Sequence, residues 1–177
     1  MMKLLRKIDI FTAKRLSKIK DNLFITLFSR IGNFFFSFLI IALFFFIPLP
    51  QHKEIAIISF FSLCLNTGIV FILKHTVRRK RFLKEGFFLS KVDPFSFPSG
   101  HSGRLGGFVI PTISIPIISI IFLILSIIVS FSRMVRGYHY FNDCFFGFLI
   151  GLLSGFMALQ FSDFYIPLLR TVSHIFQ

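Results

Sequence analysis

Lys74 and Arg81 stand seven positions apart in this chain, Pro98-Ser99-Gly100-His101 follows, and Ser132-Arg133, His139 and Asp143 complete a series of residues suited to handling phosphate. A phosphoryl group in transfer spreads negative charge over its equatorial oxygens, so catalysis needs several fixed cations and N–H donors aimed at one point. Lys74, Arg81 and Arg133 can supply the cations, the arginines through a planar fork that grips two oxygens and Lys74 as a point charge. Ser99 and the Gly100 amide stand just ahead of an apolar run, where the free N–H groups of a helix start favour an anion, and Pro98 would end the loop before that cap. His139 and Asp143 are four apart. On a helix they share a face, so that Asp143 accepts from one ring nitrogen, holds the tautomer and stabilises the charged ring while the other nitrogen attacks phosphorus. His101 is left to protonate the departing oxygen and then to activate the water that splits a phosphohistidine.

These groups act together only if the rest of the chain brings them together, and the rest of the chain is built for a membrane. The 177 residues are 55% hydrophobic, with 29 Phe, no Trp and a mean hydropathy of +0.82, which fits one compact membrane domain with no room for a second. Apolar runs predict spans over Ile31–Ile47, Ile55–Lys74, His101 to about Ser114, Pro116–Arg133 and Asp143–Ser162. The third is ambiguous: Gly106, Gly107, Pro111 and Pro116 either turn the chain back or kink one long helix from His101 to Arg133. One long helix would hold His101 and Arg133 roughly 48 Å apart at the α-helical rise, too far to share a phosphate. A turn near Ser114 is therefore the expectation, and it gathers the motif residues at one membrane face. The fold class that follows is all-α: an integral-membrane helical bundle of about five transmembrane helices over residues 31–177, with an N-terminal amphipathic interfacial segment over residues 1–30.

Order and spacing resemble the type 2 phosphatidic acid phosphatase superfamily, whose pattern runs K-x6-R-P, then P-S-G-H, then S-R-x5-H-x3-D. The likeness covers Lys74 to Asp143, with Phe82 standing where the first motif ends in proline. That substitution bears on loop rigidity rather than on chemistry, since proline contributes a fixed turn and no phosphate ligand. The resemblance implies the same roles, His139 aligning with the nucleophile and His101 with the acid. No metal and no cofactor is required. Small bacterial relatives remove phosphate from lipid A at its 1-position, from phosphatidylglycerol phosphate, or from undecaprenyl pyrophosphate. The basic face and amphipathic amino terminus suit a large polyanionic lipid, so a lipid A 1-phosphatase is the first expectation. The other two lipids, or a phosphotransferase that passes the group to a lipid hydroxyl, are the alternatives.

A net charge of +13 on a soluble chain would invite a nucleic-acid reading. Here the basic residues flank bilayer-length apolar runs without a DNA- or RNA-reading motif, so the expected partners are an anionic lipid and the bilayer, with no nucleic acid and a monomeric protein. Two crossings before Lys74 put the amino terminus on the motif face, and the layout puts every Lys and Arg there except Lys53 and Arg170. The positive-inside rule would make that face cytoplasmic. The resemblance points instead to the periplasmic side of a bacterial inner membrane, and basic residues around a phosphate site have their own electrostatic reason, so the periplasmic side is the expectation. Leu4, Leu5, Ile8 and Phe11, then Leu16, Ile19 and Leu23, repeat at helical spacing among Lys and Arg, which marks a membrane-surface helix acting as an anchor or as a lid over the site. Met1 to Phe11 lacks the apolar core of a secretory signal, so no cleavage is expected.

Other residues have plainer readings. His52, His75 and His174 belong to the solvated interface, and Arg78, Arg79 and Lys80 to a solvated or lipid-facing charge run. Arg104 and Arg136 lie near enough to the motifs to touch a headgroup or to snorkel past it. Gly147, Gly151 and Gly155 make a small-residue stripe for close packing within the molecule, and Asn66 and Thr67 read as interhelical hydrogen-bond partners. Cys64 and Cys144 read as bundle packing rather than a disulfide or a zinc site. Phe87, Phe88, Phe95 and Phe97, in the loop after Arg81, either dip among acyl chains or pack on one another.

Overall fold

The computed structural model describes residues 2–48, 51–82 and 93–167. Its helices are α1 (Met2–Leu16), α2 (Leu23–Arg30), α3 (Phe34–Phe46), α4 (His52–Val77), α5 (Gly100–Val109), α6 (Pro116–Val135) and α7 (Phe141–Gln160). Among the described residues the extended pairing is confined to an antiparallel bridge between Lys80 and Phe95. The chain is all-helical, as its apolar periodicity predicts.

Helices α4, α6 and α7 are each long and apolar enough to cross a bilayer, and α2 and α3 are so only when taken together, as a pair bent by 67°. The bend has a local cause. Asn22 and Asn33 cap the two helices, their side-chain oxygens accepting from the amides of Ile25 at 2.9 Å and Phe36 at 2.7 Å. Between them Gly32 takes a positive φ of 86°, which only glycine adopts freely. The first expected span, Ile31–Ile47, is thus the second limb of a bent pair that begins eight residues earlier, at Leu23. The third expected span is shorter than a crossing: α5 has 10 residues, or about 15 Å of helix. After it the chain turns through residues 110–115, and Pro116 opens α6.

The turn makes α5 and α6 antiparallel. Ser119 Oγ donates to the Val109 carbonyl at 2.7 Å, Ser126 Oγ to the Ser102 carbonyl at 3.2 Å, and Ser102 and Ser130 hydroxyls meet at 2.8 Å. The chain therefore reverses where the sharing of one phosphate demands it.

Helix α5 is the centre of the bundle, packed on α4, α6 and α7. Its contact with α7 is backbone to backbone. A Cβ at Gly151 would stand 2.1 Å from the Gly103 carbonyl oxygen, and one at Gly147 would stand 2.3 Å from that of Ser99. The stripe of small residues in α7 is thus used inside the molecule, against Gly103 and Gly107 of α5. From α4, Ser62 Oγ donates to the Gly107 carbonyl at 2.7 Å. Asn66 and Thr67 differ from expectation. Their side-chain polar atoms make no hydrogen bond among the described residues, because Asn66 abuts the bare Cα of Gly103 rather than a polar side chain. Cys64 also departs, lying exposed on α4, whereas Cys144 is buried.

Ile41, Phe44, Leu63, Leu105, Phe108, Phe122 and Val129 form the apolar core, with the rings of Phe108 and Phe122 5.2 Å apart. Outside it, Phe35, Phe46, Phe71, Ile117 and Ile127 point away from the protein, as lipid-facing side chains do. The chain is a membrane protein. Gly151→Ala should lower the unfolding temperature in detergent, by a stability loss of about 1–3 kcal/mol or more. Gly68→Ala, where a Cβ meets nothing within 4 Å, should leave it unchanged or raised.

Candidate active site

The site begins where α4 stops. Lys74 lies in its last turn, and Arg78 ends the helix by entering the left-handed region at φ 50°. From there the chain is extended: the Ser96 amide donates to the Arg79 carbonyl at 2.8 Å, and Lys80 bridges Phe95. In extended backbone alternate side chains point to opposite sides. Arg79 and Arg81 accordingly turn inward while Lys80 stays exposed. Arg81 Nη2 donates to the Asp93 carbonyl at 2.9 Å and to its carboxylate at 3.0 Å. Lys74 Nζ pairs with the same carboxylate and donates to the Phe95 carbonyl at 3.1 Å. Asp93, which the motif reading passed over, thereby holds two like charges side by side.

Ser99 is the N-cap of α5, its hydroxyl accepting from the Ser102 hydroxyl at 3.0 Å, while its own amide donates to the Asp143 carbonyl at 2.8 Å. Gly100 and His101 are the first residues of the helix, where amides lack intrahelical partners and an anion is favoured. His101 lies within the electrostatic reach of Arg133, Arg104, His139 and Lys74. Arg133, from the last turn of α6, is buried, with Nη1 donating to Ser29 Oγ at 3.2 Å and its guanidinium 4.3 Å from the Tyr138 ring centre. Lys74, Arg81, Ser99, Gly100, His101, Arg133, His139 and Asp143 all meet at one end of the bundle.

His139 is 2% exposed, and its Nδ1 lies 2.7 Å from the Ser96 carbonyl oxygen. A carbonyl only accepts, so Nδ1 carries the proton and Nε2 keeps the lone pair. Asp143 does not make the expected bond to this ring. Its Oδ2 stands 3.9 Å from Nδ1 and accepts the Tyr140 amide at 2.9 Å. The reason is that α7 starts only at Phe141, so His139 precedes the helix and the shared helical face does not exist. Asp143 still faces the ring closely enough to stabilise positive charge on it. Burial pushes the His139 imidazole well below its ordinary range, Arg133, Arg81 and Lys74 push the same way, and the Ser96 bond opposes them.

Arg79 corrects another expectation. Far from lying in a solvated run, its Nη1 donates to Asp143 Oδ1 at 2.7 Å and its Nη2 to Asp9 Oδ2 at 2.7 Å, with the Tyr140 ring centre 4.0 Å from its guanidinium carbon. Arg78 and Lys80 remain exposed, as read. Asp9 was also missed. It is the one acidic residue in α1, and it shares a helix face with Ala13, both buried. Those two signals were legible in the sequence.

Arg104 turns back to the Gly32 carbonyl at 2.7 Å, and Arg136 pairs with Asp21 at 3.1 Å. His75 stays exposed and bonds its own helix at the Phe71 carbonyl. Phe82 packs edge-on to Tyr140, and Phe97 to Phe146. Phe87, Phe88, Arg170 and His174 lie outside the described residues. An apolar groove of about 240 Å³ runs between α6 and α7 beside the site, lined by Ile127, Phe131, Phe141 and Phe145. A second cleft, about 360 Å³ between Gln51, Pro111 and Asp163, lies at the opposite end of the bundle and holds none of the motif residues.

Buried cations, a helix start and a neutral imidazole thus meet at one end of a membrane helical bundle. The chain belongs to the PAP2 superfamily, which matches residues 55–166. Its fold is similar to that of LpxE from Aquifex aeolicus, with a TM-score of 0.70 at 22% identity over 86% of this chain and 94% of that one. It is equally similar to a transmembrane PAP2-type phosphatidylglycerolphosphate phosphatase from Bacillus subtilis, with a TM-score of 0.70 at 20% identity over 90% of this chain and 87% of that one.

Because its folded proton affinity is depressed, His139 should stay neutral as pH falls past the ordinary histidine value of about 6.5, while the unfolded chain takes up a proton there. Stability should therefore fall as pH drops below that value. Nitrogen NMR of labelled imidazole should show the His139 ring still neutral at pH values well below the ordinary histidine value, and titration at or above that value would contradict the geometry.

Proposed function

We propose that this protein is a membrane lipid phosphatase working through a phosphohistidine at His139. The observation that carries the reading is the Ser96 carbonyl on Nδ1, which leaves Nε2 as a lone-pair nitrogen surrounded by Lys74, Arg81 and Arg133. In the first step the Nε2 lone pair forms the N–P bond as the P–O bond to the lipid breaks, and His101 gives its proton to the leaving oxygen. In the second, a water oxygen forms the new P–O bond, its proton passes to His101, and the N–P bond breaks to release phosphate and restore the neutral ring. Lys74, Arg81, Arg133 and the first amides of α5 hold the phosphoryl oxygens, so we infer that no metal is needed.

The preferred substrate is lipid A, at its 1-phosphate. The basic site face suits a polyanionic lipid, and the groove between α6 and α7 offers an apolar wall for acyl chains. Phosphatidylglycerol phosphate and undecaprenyl pyrophosphate are the alternatives. A transferase reading differs only in the acceptor. We place the protein in a bacterial inner membrane with the site toward the periplasm, α1 forming the interfacial segment and α2 joining the bundle that follows it.

Purified protein should release phosphate from one of these lipids in the presence of a chelator. His139→Ala should abolish that release, and His101→Ala should slow it by about 10²–10⁴-fold. Transfer that occurs only with an added acceptor lipid would select the transferase, and full activity of His139→Ala would overturn the nucleophile. Sidedness is read by placing a single cysteine at exposed Ser17 in a Cys64→Ser, Cys144→Ser background. A membrane-impermeant maleimide added to intact spheroplasts should label it, and labelling only after lysis would put the site on the cytoplasmic side.

A further inference from the structure

Asp9 sits in an unusual place for the lone acid of a basic surface helix. It is 2% exposed, with Oδ2 accepting from Arg79 at 2.7 Å and Oδ1 accepting the Asn142 amide at 3.0 Å. Asn142 Nδ2 in turn donates to the Leu5 carbonyl at 3.1 Å, so α1 is tied to the first turn of α7 from both sides. A carboxylate there complements the positive end of α7 and serves as a cap supplied by another helix.

The charge arithmetic gives the position its meaning. Arg79 is shared between two buried carboxylates, Asp9 and Asp143. With Asp9 ionised, the three groups carry one net negative charge; without it they carry none. Asp143 stands 3.9 Å from His139 Nδ1 and faces a ring that becomes positive when Nε2 bonds to phosphorus. Lys74, Arg81 and Arg133 all oppose that positive charge. A buried ion pair is a poor device for mere anchoring, since apolar packing of the same volume does as well without desolvating charge.

We propose that Asp9 is a positioning residue for the nucleophile: by taking half of Arg79, it keeps the Asp143 carboxylate available to the charged His139 ring and couples the N-terminal helix to the chemical step. This deepens the phosphatase reading and rests on it.

The test compares the full-length protein with Asp9→Asn, Asp9→Ser, Asp9→Glu and, as a control on the exposed face of the same helix, Lys14→Ala. Asp9→Ser keeps an acceptor for the Asn142 amide while removing the charge. Both neutral variants should lower kcat by about tenfold or more, the effect of one pK unit of lost interaction, while KM stays within about twofold. Asp9→Glu should recover most of kcat, and Lys14→Ala should change neither constant. The His139 Nδ1–H proton resonance should shift in the neutral variants and not in Lys14→Ala. A purely structural Asp9 would instead lower the unfolding temperature and change KM, leaving kcat and the resonance in place. Unchanged kcat in either neutral variant that folds overturns the proposal. If the unaltered protein releases no phosphate from any lipid tested, the phosphatase reading fails; the resonance then decides alone whether Asp9 acts on His139.

Discussion

The close approach of α5 to α7 governs the rest of the molecule. Two helices meeting through Gly103, Gly107, Gly147 and Gly151 bring their backbones within van der Waals distance, and at the top of that contact the Ser99 amide bonds the Asp143 carbonyl at 2.8 Å. The N-cap of one helix and the acid of the other are thus fixed by main chain rather than by flexible side chains. Bulk anywhere along the seam would separate the start of α5 from the turn that carries His139. Stability of the bundle and geometry of the site are therefore the same quantity seen at two heights.

A second constraint is electrical. Gathering Lys74, Arg81, Arg104 and Arg133 at one buried end would be prohibitive if each charge stood alone. The chain has few acids, and it places Asp93 between Lys74 and Arg81, Asp9 and Asp143 around Arg79, and Asp21 on Arg136. The cations stay close without cancelling, and His139, kept neutral among them, retains a usable lone pair. Tyr140 and Tyr138 lie against Arg79 and Arg133 and hold their planes by cation–π contact.

Much of this was legible before any coordinates. The motif residues announced one shared site because their types have few other joint uses, and the distance argument alone required a reversal near Ser114. The glycine period after Asp143 announced close packing. What escaped the sequence has physical causes. Arg79 was hidden in a run of four basic residues, and only the pairing of residues 79–81 with 93–96 splits that run into inward and outward side chains. The Asp143 bond was misassigned because spacing of four is informative only inside a helix, and α7 starts two residues too late to include His139. The bend between α2 and α3 escaped because Asn33 restarts a helix within an apolar stretch, and hydropathy does not register direction.

The order in which the chain is made gives the Asp9 contacts a further consequence. Asp9 emerges first, Arg79 only 70 residues later, and Asn142 133 residues later. The contacts that bury Asp9 therefore cannot be complete until Arg79 and then α7 have been added. Contacts of such long sequence separation close last. His139, Asp143 and Asn142 all arrive with α7 or just before it, so a chain lacking that helix carries the buried cations without the histidine they surround. Seating α7 thus both completes the histidine end of the bundle and docks the first helix.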